Sequence, residues 1–315
     1  MDFDIQYLLF LQNLRLLTGG IFDELFNAIT KMSVDVLPFI CFVVFWSTDR
    51  KWGYRWILTY SFAEVINGVI KLTVCAYRPW IRSDQIEPAG DSKVAATGYS
   101  FPSGHTVCAT ANYGSAFVWR KDKNKGFAIF CAVAILLTMF SRNFLGVHTP
   151  QDVIVGFLES CLLIWLCGKF INKYGDNEKA VDRATLIAAL FTIVCLCYIT
   201  LKPYPMDYVD GVLLVDPLVM MNDCYKAVGQ FLGFLLGSYV ERHYVRYKIP
   251  EGHKLLPILS FMGFFIIYMW KQYFAPATVI LMFGSHWGNL IGRFIMGYFA
   301  MAIWPKVIMK ATEKQ

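Results

Sequence analysis

The chain has 315 residues, 57% of them hydrophobic and 17% charged, and its mean hydropathy of +0.46 excludes an ordinary soluble globular domain. The net charge is +6, but the cations stand between apolar stretches rather than along one face among aromatics, which argues against a nucleic-acid partner. Nine cysteines stand singly, most of them inside apolar runs (Cys41, Cys75, Cys108, Cys131, Cys161, Cys167, Cys195 and Cys197), without the paired spacings of a disulfide scaffold or a zinc site.

The chain begins Met1-Asp2-Phe3-Asp4, without the basic stretch that opens a cleavable signal peptide, so the first spanning helices are expected to direct insertion. Ile21, Phe22, Leu25, Phe26 and Ile29 then recur at helical spacing, with Asp23 and Glu24 on the other face. The pattern fits an interfacial helix and equally an amphipathic helix buried in a bundle. A spanning helix needs about 20 mostly apolar residues. By that measure nine spans are predicted, over 30–48, 54–75, 104–119, 126–142, 151–171, 184–202, 225–241, 255–271 and 276–303. The third is rich in small and polar residues, and the ninth carries His286, Asn289 and Arg293.

The connections 49–56, 120–126, 169–183, 241–254 and 305–315 hold 18 Lys and Arg, whereas the alternate connections and the N-terminus hold ten. The basic set is therefore expected on the cytoplasmic side, with the N-terminus outside and the C-terminus inside. A bacterial plasma membrane and an endoplasmic reticulum both fit that rule. The predicted fold class is all-α, a polytopic transmembrane helical bundle. It divides into an interfacial segment (1–30), a transmembrane core (31–202) and additional C-terminal helices (203–315).

Three short segments interrupt this pattern, all in connections predicted on the non-cytoplasmic side. Lys71 lies seven residues before Arg78, about two turns, so both cations can project from one face of the second span, which Pro79 is expected to end. Taken alone, such a pair is commonly a snorkelling anchor. Pro102-Ser103-Gly104-His105 is a turn running into the third span. Its free backbone N–H groups, serine hydroxyl and helix dipole suit an oxyanion, although a plain Ser103 cap explains it too. Ser141-Arg142 ends the fourth span, and His148 and Asp152 follow at i and i+4. That spacing lets Asp152 accept one ring N–H and leave the other nitrogen free as a nucleophile.

Together, Lys71, Arg78, Pro79, Pro102, Ser103, Gly104, His105, Ser141, Arg142, His148 and Asp152 resemble the complete tripartite signature of the type 2 phosphatidic acid phosphatase superfamily. That superfamily includes lipid phosphate phosphatases, glucose-6-phosphatase and the vanadium haloperoxidases. The resemblance covers about 60–172 and implies residue roles. His148 would form a phosphohistidine, Asp152 would orient it, and His105 would protonate the leaving oxygen. Lys71, Arg78, Ser103, Gly104 and Arg142 would hold the phosphate oxygens, and no metal or other cofactor is implied.

The layout departs from the six-span lipid phosphatases, because the first motif follows the second span and about three spans are added later. The expected function is hydrolysis of a phosphate monoester or pyrophosphate, with a lipid phosphate in the bilayer as the leading substrate class. A soluble sugar phosphate, transfer to another acceptor, and transport through the same pocket are the alternatives. Tyr77, Trp80, Tyr99 and Phe101 are placed at the lipid interface, and Asp35, Glu64, Asn67 and Glu159 are intramembrane polar residues expected to face the core beneath the site.

Overall fold

Backbone polar groups cannot be left unpaired in hydrocarbon, so apolar runs of spanning length fold as helices that satisfy themselves. The computed structural model describes residues 2–96 and 98–313, and they are predominantly helical. In chain order the helices are α1 (Phe3–Leu17), α2 (Asp23–Asp35), α3 (Leu37–Ser47), α4 (Arg50–Val74), α5 (Pro79–Arg82), α6 (Ser92–Ala95), α7 (Gly104–Arg120) and α8 (Lys125–Phe144). They continue as α9 (Pro150–Tyr174), α10 (Glu178–Leu201), α11 (Pro217–Val240), α12 (Leu256–Met269), α13 (Leu281–Phe283), α14 (Ser285–Tyr298) and α15 (Trp304–Thr312). Two-residue strands β1 (Tyr208–Val209) and β2 (Val212–Leu213) pair antiparallel around Asp210-Gly211, both with positive φ, the turn chemistry of a tight hairpin.

Among the described residues, six helical segments are long and apolar enough to cross a membrane, or up to seven if the pair α2 and α3, bent by 41°, counts as one. The chain is thus a polytopic, integral membrane helical protein. Leu186, Ile187, Leu190 and Val194 of α10 are exposed, as a lipid-facing helix requires.

Several predicted boundaries move. The first span, expected over 30–48, is broken at Val36. The break between the last two spans falls at Gly284, where φ is +77°, and not near 271–276; Leu256–Phe283 and Ser285–Thr312 are the continuous segments. Helices α7 and α11, at the third and seventh predicted spans, fall outside the six. Nor does Pro79 end the second span. Helix α4 stops at Val74, Cys75 takes a left-handed conformation (φ +52°), and Pro79 instead opens α5, at the first-turn position where its missing N–H costs nothing.

The chain divides into two compact units, and α4 and α9 contribute residues to both. The first unit comprises residues up to 38, 66–162 and 201–221. Within it α7 packs on α8, and their short connection ends at Asn124, whose Oδ1 accepts from the Phe127 amide at 3.0 Å and caps α8. Ser33 on α2 hydrogen-bonds Thr138 on α8 at 3.2 Å. At Gly156 of α9, an added Cβ would stand 3.0 Å from the Ser103 carbonyl, and Ser160 donates to the Val107 carbonyl at 3.1 Å. These contacts hold the start of α7 directly against α9.

The second unit comprises residues 39–65, 163–200 and the described residues from 222 onward. Trp46 donates to the Ala300 carbonyl at 2.8 Å, and Arg50 forms a bidentate pair with the buried Glu241 carboxylate, Nη2 to Oε2 at 2.7 Å and Nε to Oε1 at 3.2 Å. Gly229, Gly233 and Gly237 recur every fourth residue of α11. A Cβ at Gly229 or Gly233 would come within 2.1 Å of the Leu290 or Phe294 carbonyl oxygen. This small-residue stripe therefore brings the α11 and α14 backbones into contact, which in lipid replaces hydrophobic burial as the source of helix association. Gly233→Ala must separate the two helices. It is expected to lower the thermal unfolding midpoint of the detergent-solubilised protein by several degrees, whereas Gly126→Ala, at an exposed position in the first turn of α8, leaves α11 and α14 untouched.

Candidate active site

Thr149-Pro150-Gln151-Asp152 is a helix start written in sequence. Pro150 opens α9, the Asp152 carboxylate accepts from the Thr149 amide at 2.8 Å, and Thr149 Oγ1 accepts from the Asp152 amide at 3.4 Å. This reciprocal cap satisfies donors that the first helical turn leaves orphaned. His148 therefore precedes α9 instead of lying on it. The cap nonetheless turns Asp152 back toward the imidazole, and Asp152 Oδ2 lies 3.2 Å from His148 Nδ1.

On the other side of the ring, Arg78 Nη1 lies 2.9 Å from His148 Nε2. A guanidinium only donates, so Nε2 is the acceptor and the ring proton belongs on Nδ1, toward Asp152. The lone pair on Nε2 is thus directed at the cationic side of the site. Arg78 also donates to the Val147 and Gly98 carbonyls at 2.9 and 3.2 Å, which fixes its orientation. His148, Asp152, Lys71, Arg78 and Arg142 are each no more than 5% exposed.

Lys71 and Arg78 do not share a helical face, since α4 ends between them, yet both reach the same region. The Lys71 ammonium donates to the carbonyls of Pro102 (2.6 Å), Tyr99 and Ser100 (both 3.3 Å), stitching the 99–102 turn to α4. Ser103 is the cap of α7, its Oγ accepting from Thr106 N at 3.4 Å, and its own amide donates to the Asp152 carbonyl at 3.0 Å. Gly104 is the first residue of α7, where backbone N–H groups lack helical partners. His105 follows it, half-buried, in the field of Arg142, His148, Arg78 and Lys71. Arg142 donates through Nη1 to Thr30 of α2 at 3.3 Å, while its buried Nε has no hydrogen-bond partner among the described residues.

Three contributors carried no sequence signal. The Ser100 hydroxyl donates to Asp152 Oδ2 at 2.5 Å, Asn143 Nδ2 donates to the His148 carbonyl at 2.8 Å, and Thr30 meets Arg142. Each is an ordinary polar residue whose place depends on a long-range contact; only the adjacency of Asn143 to Arg142 offered a hint. Of the aromatics assigned to the lipid interface, Tyr99 is instead fully buried. Trp80 lies 5.8 Å from the Arg78 guanidinium, and Tyr77 hydrogen-bonds Asp207. Asn67 is buried on α4, whereas Asp35, Glu64 and Glu159 are half-buried. Asn289 and Arg293 belong to the second unit and line a cavity of about 380 Å³ with Lys226 and Lys271. His286 packs its ring edge-on against Tyr225.

The sequence model of the PAP2 superfamily matches residues 52–176, the stretch that holds every one of these motif residues. The chain contains a PAP2 superfamily domain. The chain is similar to an undecaprenyl-diphosphatase of Sulfolobus acidocaldarius, 26% identical over 43% of this chain and 59% of that protein. It is similar to lipid phosphate phosphatase delta of Arabidopsis thaliana, 25% identical over 59% of this chain and 46% of that protein. A third relative is phosphatidylglycerophosphatase B of Escherichia coli K12, 33% identical over 28% of this chain and 38% of that protein. The chain thus spans between 38% and 59% of these relatives' own lengths. No solved structure matches it.

In the PAP2 domain, burial and then the charges of Arg78, Arg142 and Lys71 hold the His148 imidazole well below its ordinary value of 6.5. A histidine shifted in this direction is neutral through neutral pH and protonates only as the pH falls below that value. Nitrogen NMR of histidine-labelled protein is expected to show His148 as the neutral Nδ1–H tautomer at pH 6.5. A half-protonated ring at that pH contradicts the geometry.

Proposed function

We propose that the chain is a metal-independent membrane phosphatase, which transfers the phosphoryl group of a lipid phosphate monoester or pyrophosphate to His148 and then to water. The observation that carries this reading is the imidazole itself. His148 is held neutral, with its proton toward Asp152 and its Nε2 lone pair toward Arg78, as an attacking nitrogen must be. An incoming phosphate would take the Arg78 hydrogen bond from Nε2 as the nucleophile engages phosphorus.

The chemistry then follows in two steps. His148 Nε2 attacks phosphorus and the bond to the leaving oxygen breaks, while His105 donates the proton that this oxygen requires. Arg78, Arg142, the Gly104 N–H and the Ser103 hydroxyl hold the equatorial oxygens, where charge builds in the transition state, and Lys71 adds its positive charge beside them. Asp152 compensates the positive charge that the ring acquires once phosphorylated. Water, deprotonated by His105, next attacks the phosphohistidine and releases inorganic phosphate.

A lipid substrate is favoured by the relatives, one of which is a lipid phosphate phosphatase and another a phosphatidylglycerophosphatase. The distribution of Lys and Arg favours an external N-terminus, a cytoplasmic C-terminus and a site on the non-cytoplasmic face. Nine spans result if α7 and α11 cross together with the bent pair and the other six segments. The catalytic core is proposed over 31–202, with 1–30 as the interfacial segment and the helices of 203–315 as additions to it.

With purified protein and long-chain phosphatidic acid, His148→Ala is expected to release no phosphate above background, and to retain no alkali-stable label from a radiolabelled substrate. Phosphate release by that variant at the wild-type rate overturns the mechanism. His105→Ala is expected to slow release by roughly 10²–10⁴-fold for an alkyl phosphate and far less for p-nitrophenyl phosphate, whose leaving oxygen needs no proton. Equal losses on both substrates remove His105 from the acid role.

A further inference from the structure

We propose that Asn67 is a further donor of the phosphate site, its side-chain amide binding a non-bridging oxygen of the phosphoryl group beside the Gly104 N–H. This deepens the phosphatase reading above and rests on it. Asn67 stands one turn before Lys71 on α4, at i and i+4, so the two side chains share a face. The Lys71 ammonium reaches the carbonyls of Tyr99, Ser100 and Pro102, which fixes that face toward the turn that opens α7.

Asn67 is 6% exposed, and its buried Nδ2 has no hydrogen-bond partner among the described residues. A buried donor left unmade costs about as much as a lost hydrogen bond, so a neutral amide in this position calls for an acceptor. The acceptor's place is marked by Gly104. Apart from its chain neighbours and its own helix backbone, a Cβ built on Gly104 would find only Asn67 Oδ1 within 4 Å among the described residues, at 3.5 Å. The space before the first N–H groups of α7 is therefore open on this side and bordered by the Asn67 amide. A half-turn of the amide exchanges its oxygen and nitrogen with almost no change of shape, so the NH₂ group can be presented to this space.

Lys71 explains why a second donor on α4 is needed. An ammonium has three N–H bonds, and the Lys71 ammonium directs its bonds at three backbone carbonyls. It contributes positive charge to the site, but a directed hydrogen bond from α4 to the phosphate has to come from another residue. Asn67 supplies it without adding a fourth charge.

A side chain kept for binding rather than for packing leaves a distinctive signature, because its replacement by an apolar group of similar size removes the unmet donor. The full-length protein in detergent is measured three ways: turnover on phosphatidic acid, the inhibition constant for orthovanadate, and thermal unfolding. Asn67→Leu is expected to raise the vanadate inhibition constant at least tenfold while leaving the unfolding midpoint equal to or above that of the wild type. Asn67→Asp, which keeps the shape and adds a negative charge, is expected to weaken vanadate further.

Vanadate inhibition within twofold of wild type in both variants overturns the proposal. So does a Leu variant that unfolds at lower temperature yet binds vanadate normally, for Asn67 is then a packing residue. If the Leu variant does not fold, the isosteric Asp variant decides alone: vanadate weakened tenfold supports the role, and unchanged inhibition refutes it. A wild-type protein that neither releases phosphate nor binds vanadate refutes the phosphatase reading itself, an outcome read before any variant is made.

Discussion

The candidate site depends on one carboxylate. Asp152 Oδ2 accepts from the Ser100 hydroxyl, the Thr149 amide and His148 Nδ1, while the Asp152 backbone carbonyl accepts the amide of Ser103. Four bonds at one residue thus tie the start of α9 to the 99–103 turn, to the cap of α7 and to the imidazole. A buried carboxylate is tolerable only when its lone pairs are met, and here the act of meeting them also assembles the site. The charge that orients His148 is the same charge that caps α9. Neutralising Asp152 therefore has two inseparable consequences, a loosened helix start and a ring free to take the other tautomer.

That double use explains what could be read in advance. The i and i+4 spacing of His148 and Asp152 indicated a contact, and the contact exists. Its cause differs from the expected one, because His148 lies before the helix and the reciprocal Thr149–Asp152 cap makes the bond. Lys71 and Arg78 were placed together by an assumed continuous helix. They converge on the 98–102 turn instead, because Cys75 turns left-handed and Arg78 then anchors on the Gly98 and Val147 carbonyls. Hydropathy found the apolar helices but misplaced their breaks, since Val36 and Gly284 interrupt runs whose composition hardly changes there. Ser100, Thr30 and Asn143 stayed invisible, because a polar residue gains a role at the site only through neighbours distant in the chain. The glycine stripe of α11 was legible in principle, as its fourfold spacing states a close backbone approach.

The cationic side of the site carries the energetic tension. Arg142 Nε and Asn67 Nδ2 are buried donors without partners among the described residues. Each such group costs about 1–3 kcal/mol in the absence of an acceptor. A fold selected for stability alone would replace Asn67 with an apolar residue. The placement of both donors on helices that also carry motif residues makes sense if the missing acceptor is a ligand. An oxyanion with several acceptor lone pairs meets more than one such donor at once, and the binding free energy then offsets the cost of burying those donors.

The same arithmetic bears on how the rate enhancement would arise. In the proposed mechanism a phosphoryl group passing between His148 and an oxygen would gain little from covalent assistance, so most of the catalysis would come from donors fixed before the charge develops. Fixing them is the work of backbone carbonyls here. Lys71 is held by three of them and Arg78 by two, so neither cation has to reorganise when the transition state forms. These carbonyls belong to the turns at 98–102 and 147, whose positions trace back to the amide and hydroxyl contacts of Asp152. Donor preorganisation and nucleophile orientation are in this way two effects of a single buried charge. A substitution at Ser100, whose hydroxyl contacts Asp152 Oδ2 and His148 Nδ1 without being a reacting group itself, should accordingly disturb turnover more than binding.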